Sequence, residues 1–442
     1  MENKEQQEEV IMNDDYYEKM DEAVQYLDTL IFRGVVGEKF KIVNKKTLDM
    51  ISKQDAAEAY NDHQIEYDVT INGEKKKMNS SVFPTWNKKS ISYLGGIMFD
   101  PKEEPGTIID KHLHMSWNTW NGWALSKVKN GKSKGFLSFI FTNICKRNKA
   151  LYNYIMDAWA NIIQNPGDKH DKIFVMRGDR GVGKTFMMER FMHILGEYGR
   201  ILSQNDLESE FNKPFMNRLV VFADEACWSG DRKLQSKLQN ISGGSTISIR
   251  KMRTDQIEMN NYIHIWMVSN NDWVAPVEKG NRRYVVWTVG DKRKVDTKYF
   301  TRLIKDMEDG GYEDLMYSLM NRDIKSNFRA NAPVFDKETY KEQRLSTMTN
   351  GDPARKWLYY CENEPDMIEP LNNPCVRKGH IKTIDLYKMY VQWSNDTNEY
   401  KTLVQDIFNK QISKIVGPTH TKKIDGKVIR GRDFNQKLNI EL

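Results

Sequence analysis

Residues 173–185 read Ile173-Phe174-Val175-Met176-Arg177-Gly178-Asp179-Arg180-Gly181-Val182-Gly183-Lys184-Thr185, and an apolar-rich stretch follows from Phe186 to Leu195. An apolar run, then Gly-x-x-x-x-Gly-Lys-Thr, then a helical pattern is the strand–loop–helix context in which this spacing binds phosphate. The glycines let backbone amides close around phosphate oxygens, and the helix N-terminus adds positive potential. Lys184 is expected to reach the β- and γ-phosphates and Thr185 to hold Mg²⁺. Gly178, Asp179, Arg180, Gly181, Val182, Gly183 and Phe186 complete the expected nucleotide contacts. An ordinary glycine turn is the competing reading, and it does not require strand, loop and helix in this order.

The surrounding chain is long enough for two or three domains at 442 residues. No window reaches the ~18 uninterrupted apolar residues of a membrane span, and the acidic start Met1-Glu2-Asn3-Lys4-Glu5 is no signal peptide. Cys145, Cys227, Cys361 and Cys375 are widely spaced and form no Cys-x-x-Cys pair, so a reduced, cytoplasmic setting is expected. The net charge is +6, and residues 376–442 carry 13 Lys/Arg against 7 Asp/Glu. Residues 1–30 carry 10 Asp/Glu against 2 Lys. The basic end suits a polyanion; a lysine-rich solvated surface would give the same count.

Composition and periodicity divide the chain into an acidic, partly helical lead-in or linker (1–30), a mixed α/β region (31–135) and a helical region (136–168) that ends at Asn165-Pro166-Gly167. Alternating strand-like and helix-like segments follow (169–292), then a helical lid region (293–350) interrupted at Gly310-Gly311, then a basic region (351–442).

The alternating region holds the remaining nucleotide-site candidates. Leu219-Val220-Val221-Phe222-Ala223 reads as a buried strand ending in Asp224-Glu225. Paired carboxylates at a strand end are costly to bury unless they serve charge. Asp224 is expected to orient Mg²⁺ and Glu225 to act as general base on water. Tyr262 to Val268 is a second such run, ending in Ser269-Asn270-Asn271. Asn270 is the candidate sensor of the γ-phosphate, although a strand-end turn asparagine looks the same in isolation. Arg282-Arg283 precede the strand Tyr284-Val285-Val286-Trp287, where one guanidinium would act as an arginine finger on a neighbour's phosphate and the other form an ion pair. A GTPase is the rival nucleotide reading, but no Asn-Lys-x-Asp element occurs.

Thr246 to Arg250 and Gln256 to Met259 alternate about a basic tip, which predicts a hairpin. Lys251 and Arg253 there would contact DNA phosphates; solvated surface lysines are the alternative, and taken alone the stronger one. Two C-terminal helical segments, Lys382–Tyr390 and Leu403–Lys410, precede a hairpin with Asp425-Gly426 at its turn. This is the order of a winged helix, with Lys422, Lys423, Lys427 and Arg430 as DNA contacts; a small protein-interaction domain is the alternative.

Glycine loop, acidic pair, basic hairpin, strand-tip asparagine and arginine pair fall within about 105 residues. That order resembles the superfamily 3 helicases, AAA+-related motors of viruses, phages and plasmids, and most of all the helicase part of phage and plasmid primase-helicases, with poxvirus-type relatives. The likeness extends upstream through Tyr93 to Pro101 and Trp117 to Gly122, and downstream through Gly310 to Leu315. It implies an α/β fold with a P-loop AAA+-like ATPase core, a preceding mixed and helical region and a C-terminal winged-helix-like domain. It also implies a homo-hexamer that moves 3′ to 5′ on single-stranded and forked DNA using ATP and Mg²⁺, with Lys184, Thr185, Asp224, Glu225, Asn270 and one of Arg282 and Arg283 in the ATPase site. Such enzymes usually carry a primase or primase-polymerase domain ahead of the helicase, and none is recognisable here. The chain is therefore expected to be a stand-alone helicase or a piece of a primase-helicase. An ATP-dependent origin-binding initiator or loader without processive unwinding is the alternative. A nucleotide-regulated binding module with little turnover is disfavoured by Glu225 beside Asp224.

Overall fold

Four apolar runs and one short edge strand form a parallel sheet, and their shared direction decides where the glycine loop sits. The computed structural model describes residues 10–12, 14–36, 39–71, 74–109, 113–209, 212–224, 232–250, 257–278, 280–363, 379–397 and 402–434. The central elements are α1 (Lys149–Gln164), β1 (Ile173–Arg177), α2 (Lys184–Leu195), β2 (Gly199–Leu202), β3 (Val220–Ala223), β4 (His264–Ser269) and β5 (Tyr284–Thr288). The strands run in the order β2-β3-β4-β1-β5, all parallel. In that register Ile173 lies beside Ile265 and Tyr284, and Arg177 beside Ser269 and Thr288. The C-terminal ends of β1, β4 and β5 are thus level, and the loops leaving them meet.

Parallel strands covered on both faces read as continuous apolar runs rather than alternating ones. β3 and β4 are buried along their whole length. Trp159 of α1 stacks on Phe191 of α2 with centroids 4.1 Å apart, Phe174 of β1 stacks on its cross-strand partner Trp266 of β4 at 4.1 Å, and Trp159 meets Trp266 at 6.0 Å, joining helices to sheet.

The helical stretch expected over residues 136–163 is broken. It runs as a helix Lys134–Phe139, a π-turn Ile140–Ile144, and then α1, which is capped by the Asn148 side chain accepting from Leu151 N. Lys146 and Arg147 both take positive φ at the break. The reason is tertiary: Asn143 turns its main-chain and side-chain groups outward to other segments, accepting from Gly290 N and donating to Val182 O. Helices Thr297–Asp306 and Tyr312–Met320 flank the interruption at Met307–Gly311, where Gly310 has φ +92°.

The acidic residues 14–30 form a packed helix rather than a spacer. Met20, Val24 and Leu27 recur at helical spacing and enter an apolar cluster with Ile31, Phe83 and Trp86. The acids sit on the other face, which is why composition alone reads the segment as a lead-in. Within the expected helical region 293–350, the polar stretch between Pro333 and Pro353 is mostly one helix, Lys337–Gly351. Strands Thr246–Ile249 and Ile257–Asn260 pair antiparallel as the alternation requires. Towards the C-terminus, α3 (Thr383–Asp396) and α4 (Gln405–Val416) pack against a three-stranded antiparallel sheet in which Lys427–Asp433 lies between His380–Lys382 and His420–Ile424. Trp357, Tyr390, Trp393 and Phe408 form the apolar centre there. Among the described residues, no helix is long and apolar enough to cross a membrane.

Because Trp159 is fully buried and stacked on Phe191, Trp159→Ala should remove about 3–5 kcal/mol of stability. Chemical denaturation should show a lower midpoint, and a change below about 1 kcal/mol would contradict the packing role assigned to this pair.

Candidate functional site

The loop from β1 to α2 turns back on itself at residues that leave no room for side chains. Gly183 has φ +95°, and a Cβ there would lie 2.6 Å from Phe139 Cζ and 3.0 Å from the Phe300 ring. Both strain and space therefore demand glycine at this position. Three contacts from distant segments fasten the loop from outside. Val295 N donates to Gly181 O at 3.0 Å, Asn143 Nδ2 donates to Val182 O at 2.9 Å, and Lys294 Nζ pairs with Asp179 Oδ2 at 2.7 Å. The hydrogen bond from Lys294 holds the Asp179 carboxyl below its usual range and raises the lysine in turn.

Inside the loop Lys184 is buried. Its ammonium donates to Gly178 O at 2.5 Å, Asp179 O at 2.8 Å and Asn270 Oδ1 at 2.8 Å. The last contact crosses from α2 to the tip of β4. Thr185 Oγ1 lies 3.1 Å and 3.3 Å from the two oxygens of Asp224, which leaves the end of β3. A cavity of about 460 Å³ opens over these groups, walled by loop residues 180–186, Asp224, Asn270 and Phe300. Phe300 and Phe186 are 4.9 Å apart by ring centroid, and the Arg190 guanidinium lies over Phe186 at 4.4 Å. One buried ammonium beside two oxygen ligands at the start of a helix suits an anion accompanied by a hard divalent cation; the rings of Phe300 and Phe186 would suit a planar group.

The structure therefore brings Lys184, Thr185, Asp224 and Asn270 to one cavity. It does not bring the arginine pair there. Arg282 and Arg283 precede β5 at the N-terminal end of the sheet, about 16 Å from its level C-terminal ends by strand rise. Arg282 is exposed, while Arg283 is half-buried, with its guanidinium near Gly243 at the end of the helix Arg232–Gly243. Glu225, Lys251 and Arg253 lie outside the described residues. Lys422, Lys423, Lys427 and Arg430 are exposed on the C-terminal hairpin, whose turn residues Asp425 and Gly426 both have positive φ.

Sequence reasoning missed Asn143, Lys294, Val295, Phe139 and Phe300. Each contacts the loop from more than 35 positions away, which no local pattern encodes. The aromatic pairs Phe136/Phe139 and Tyr299/Phe300, flanking the core on either side, were the available signal.

Comparison with known proteins extends this picture. A family model described as a family of unknown function, DUF5906, matches residues 176–283, from the end of β1 to the arginine pair. No curated protein matches the chain. The apo structure of the C-terminal region of NrS-1 superposes with a TM-score of 0.65 at 17% identity, covering 96% of this chain and 100% of that one. Two further solved structures of the same region give TM-scores of 0.64 and 0.62 at 16% identity, each covering 93% of this chain and 98% of the other. At this identity the likeness shows a shared fold: a mixed α/β chain built on a parallel sheet.

Proposed function

We propose that the chain is an ATP-dependent DNA helicase of the superfamily 3 kind, with a P-loop AAA+-like core and a C-terminal winged-helix-like region, serving replication of a phage, virus or plasmid. The observation that carries the proposal is the convergence of Lys184, Thr185, Asp224 and Asn270 from three parallel strand ends on one cavity. The likeness in fold to the NrS-1 region supports it.

In this reading Lys184 exchanges its bonds to loop carbonyls and Asn270 for phosphate oxygens of ATP. Thr185 and Asp224 supply oxygen donors of the type Mg²⁺ prefers. The ion would neutralise charge on the β- and γ-phosphates. Asn270, released from Lys184, would hydrogen-bond the γ-phosphate and the lytic water directly, and Glu225 activates that water as general base. Phe300 and Phe186 offer the base a stacking surface. The exposed position of Arg282, far from its own chain's cavity, supports action on a second copy, as a ring requires. Lys251, Arg253 and the exposed Lys422, Lys423, Lys427 and Arg430 are the proposed contacts to single-stranded or forked DNA. A primase or primase-polymerase would be the functional partner. An origin-binding loader is the alternative reading, and a forked-duplex assay separates the two: strand separation with ATP marks the helicase, whereas ATP turnover and DNA binding without separation mark the loader.

Lys184→Ala should lower ATP turnover by at least about 10²-fold, measured by phosphate release, and Asp224→Asn should lose most of the Mg²⁺ dependence. Turnover at the parent level in Lys184→Ala would remove the site assignment. For the trans role, Arg282→Ala and Arg283→Ala are each mixed with Lys184→Ala. Partial recovery of turnover by one mixture identifies the finger; no recovery by either, in assemblies shown to be mixed, counts against it.

A further inference from the structure

We propose that the cleft between α3, α4 and the strand Lys427–Asp433 is a pocket for a phosphate ester of nucleic acid. The cavity is about 520 Å³, and its wall includes Thr383, Asn409, Lys410, Ser413, Arg430 and Arg432. Three cationic side chains line it and, among the described residues, no carboxylate does.

Two independent features point to an anion. The first is the start of α3. This 14-residue helix opens at Thr383 behind Lys382, which gives no side-chain cap, so its first-turn amides receive no acceptor from the capping position. Asp385 in that turn is not part of the cavity wall. The second is Arg432, only 2% exposed. Its terminal nitrogens brace α4, donating to Gly417 O, to Asn409 O at 3.2 Å and to Ser413 Oγ at 2.9 Å. Its Nε has no hydrogen-bond partner among the described residues, and neither does the buried Thr383 Oγ1; both can donate to an anion. A buried guanidinium surrounded by neutral acceptors is costly unless an anion completes it. A phosphate accepts from a guanidinium, a hydroxyl and helix-terminal amides at once, which is the donor set gathered here. Lys410 and Arg430 are exposed at the rim, where they meet the flanking backbone.

The pocket rests on the DNA partner of the proposed function but not on the nucleotide cavity. The test uses the full chain without ATP, titrated by fluorescence anisotropy with a labelled oligodeoxythymidylate, with and without a 5′-phosphate. Arg432→Ala would endanger the fold, so the informative variants are Thr383→Val and the pair Lys410→Ala/Arg430→Ala, with melting curves as the control. Each should weaken binding at least about fivefold, and the rim pair should flatten the salt dependence by about one to two released ions. Weakening with both oligonucleotides places an internal backbone phosphate in the pocket; weakening confined to the phosphorylated one places a terminal phosphate there. Unchanged affinity in both variants overturns the pocket. Loss in the rim pair with none in Thr383→Val also overturns it, because diffuse surface charge would then suffice. ATP hydrolysis is read separately on Lys184→Ala, so failure of one reading leaves the other standing.

Discussion

The ammonium of Lys184 ties three parts of the chain together. It accepts its orientation from two carbonyls of its own loop and from the side chain of Asn270, 86 positions later. That contact exists only because β1 and β4 are neighbours in parallel register, with Arg177 opposite Ser269. A slip of one residue in this pairing would turn every side chain of β4 to the other face and carry Asn270 away from the lysine. The cavity is therefore a consequence of strand register, and register is held by apolar burial on both faces of the sheet.

The Trp159–Phe191 and Phe174–Trp266 stacks give that burial its shape. The contact of Trp159 with Trp266 joins the two stacks and sets α1 and α2 against the sheet, and α2 begins at Lys184 itself. On the other side, Phe139 and Phe300 close under the loop at Gly183. The loop is thus set by α2 at one end and by the two rings packed against Gly183.

Much of this was legible in the sequence, for identifiable reasons. The runs at 173–176, 219–223, 262–268 and 284–287 are apolar because both faces are covered, and all four are strands. Glycine spacing marks the loop because Gly183 cannot carry a Cβ. The turn at Asp425-Gly426 is marked in the same way by positive φ. What was not legible depends on contacts between distant residues. The π-turn at Ile140–Ile144 answers to Gly290 and Val182, and the pairing of Lys294 with Asp179 spans 115 positions. At 14–30 the helical character was legible but the packing was not, since the acids dominate the composition while only Met20, Val24 and Leu27 are buried.

Sheet polarity also constrains the arginine pair, which the sequence could only place near a strand. In a parallel sheet the two ends are not equivalent. Loops leaving the C-terminal ends gather at the cavity, whereas a residue preceding β5 is at the far side, about 16 Å away along the strand. An arginine side chain reaches less than half of that. If either guanidinium stabilises charge on a bound phosphate, that phosphate must belong to another copy of the chain. The half-buried Arg283, wedged beside Gly243, is suited to holding β5 against the helix Arg232–Gly243, and the exposed Arg282 is the one free of that duty. The fold thus gives the two arginines different surroundings, one exposed and one set beside the helix Arg232–Gly243.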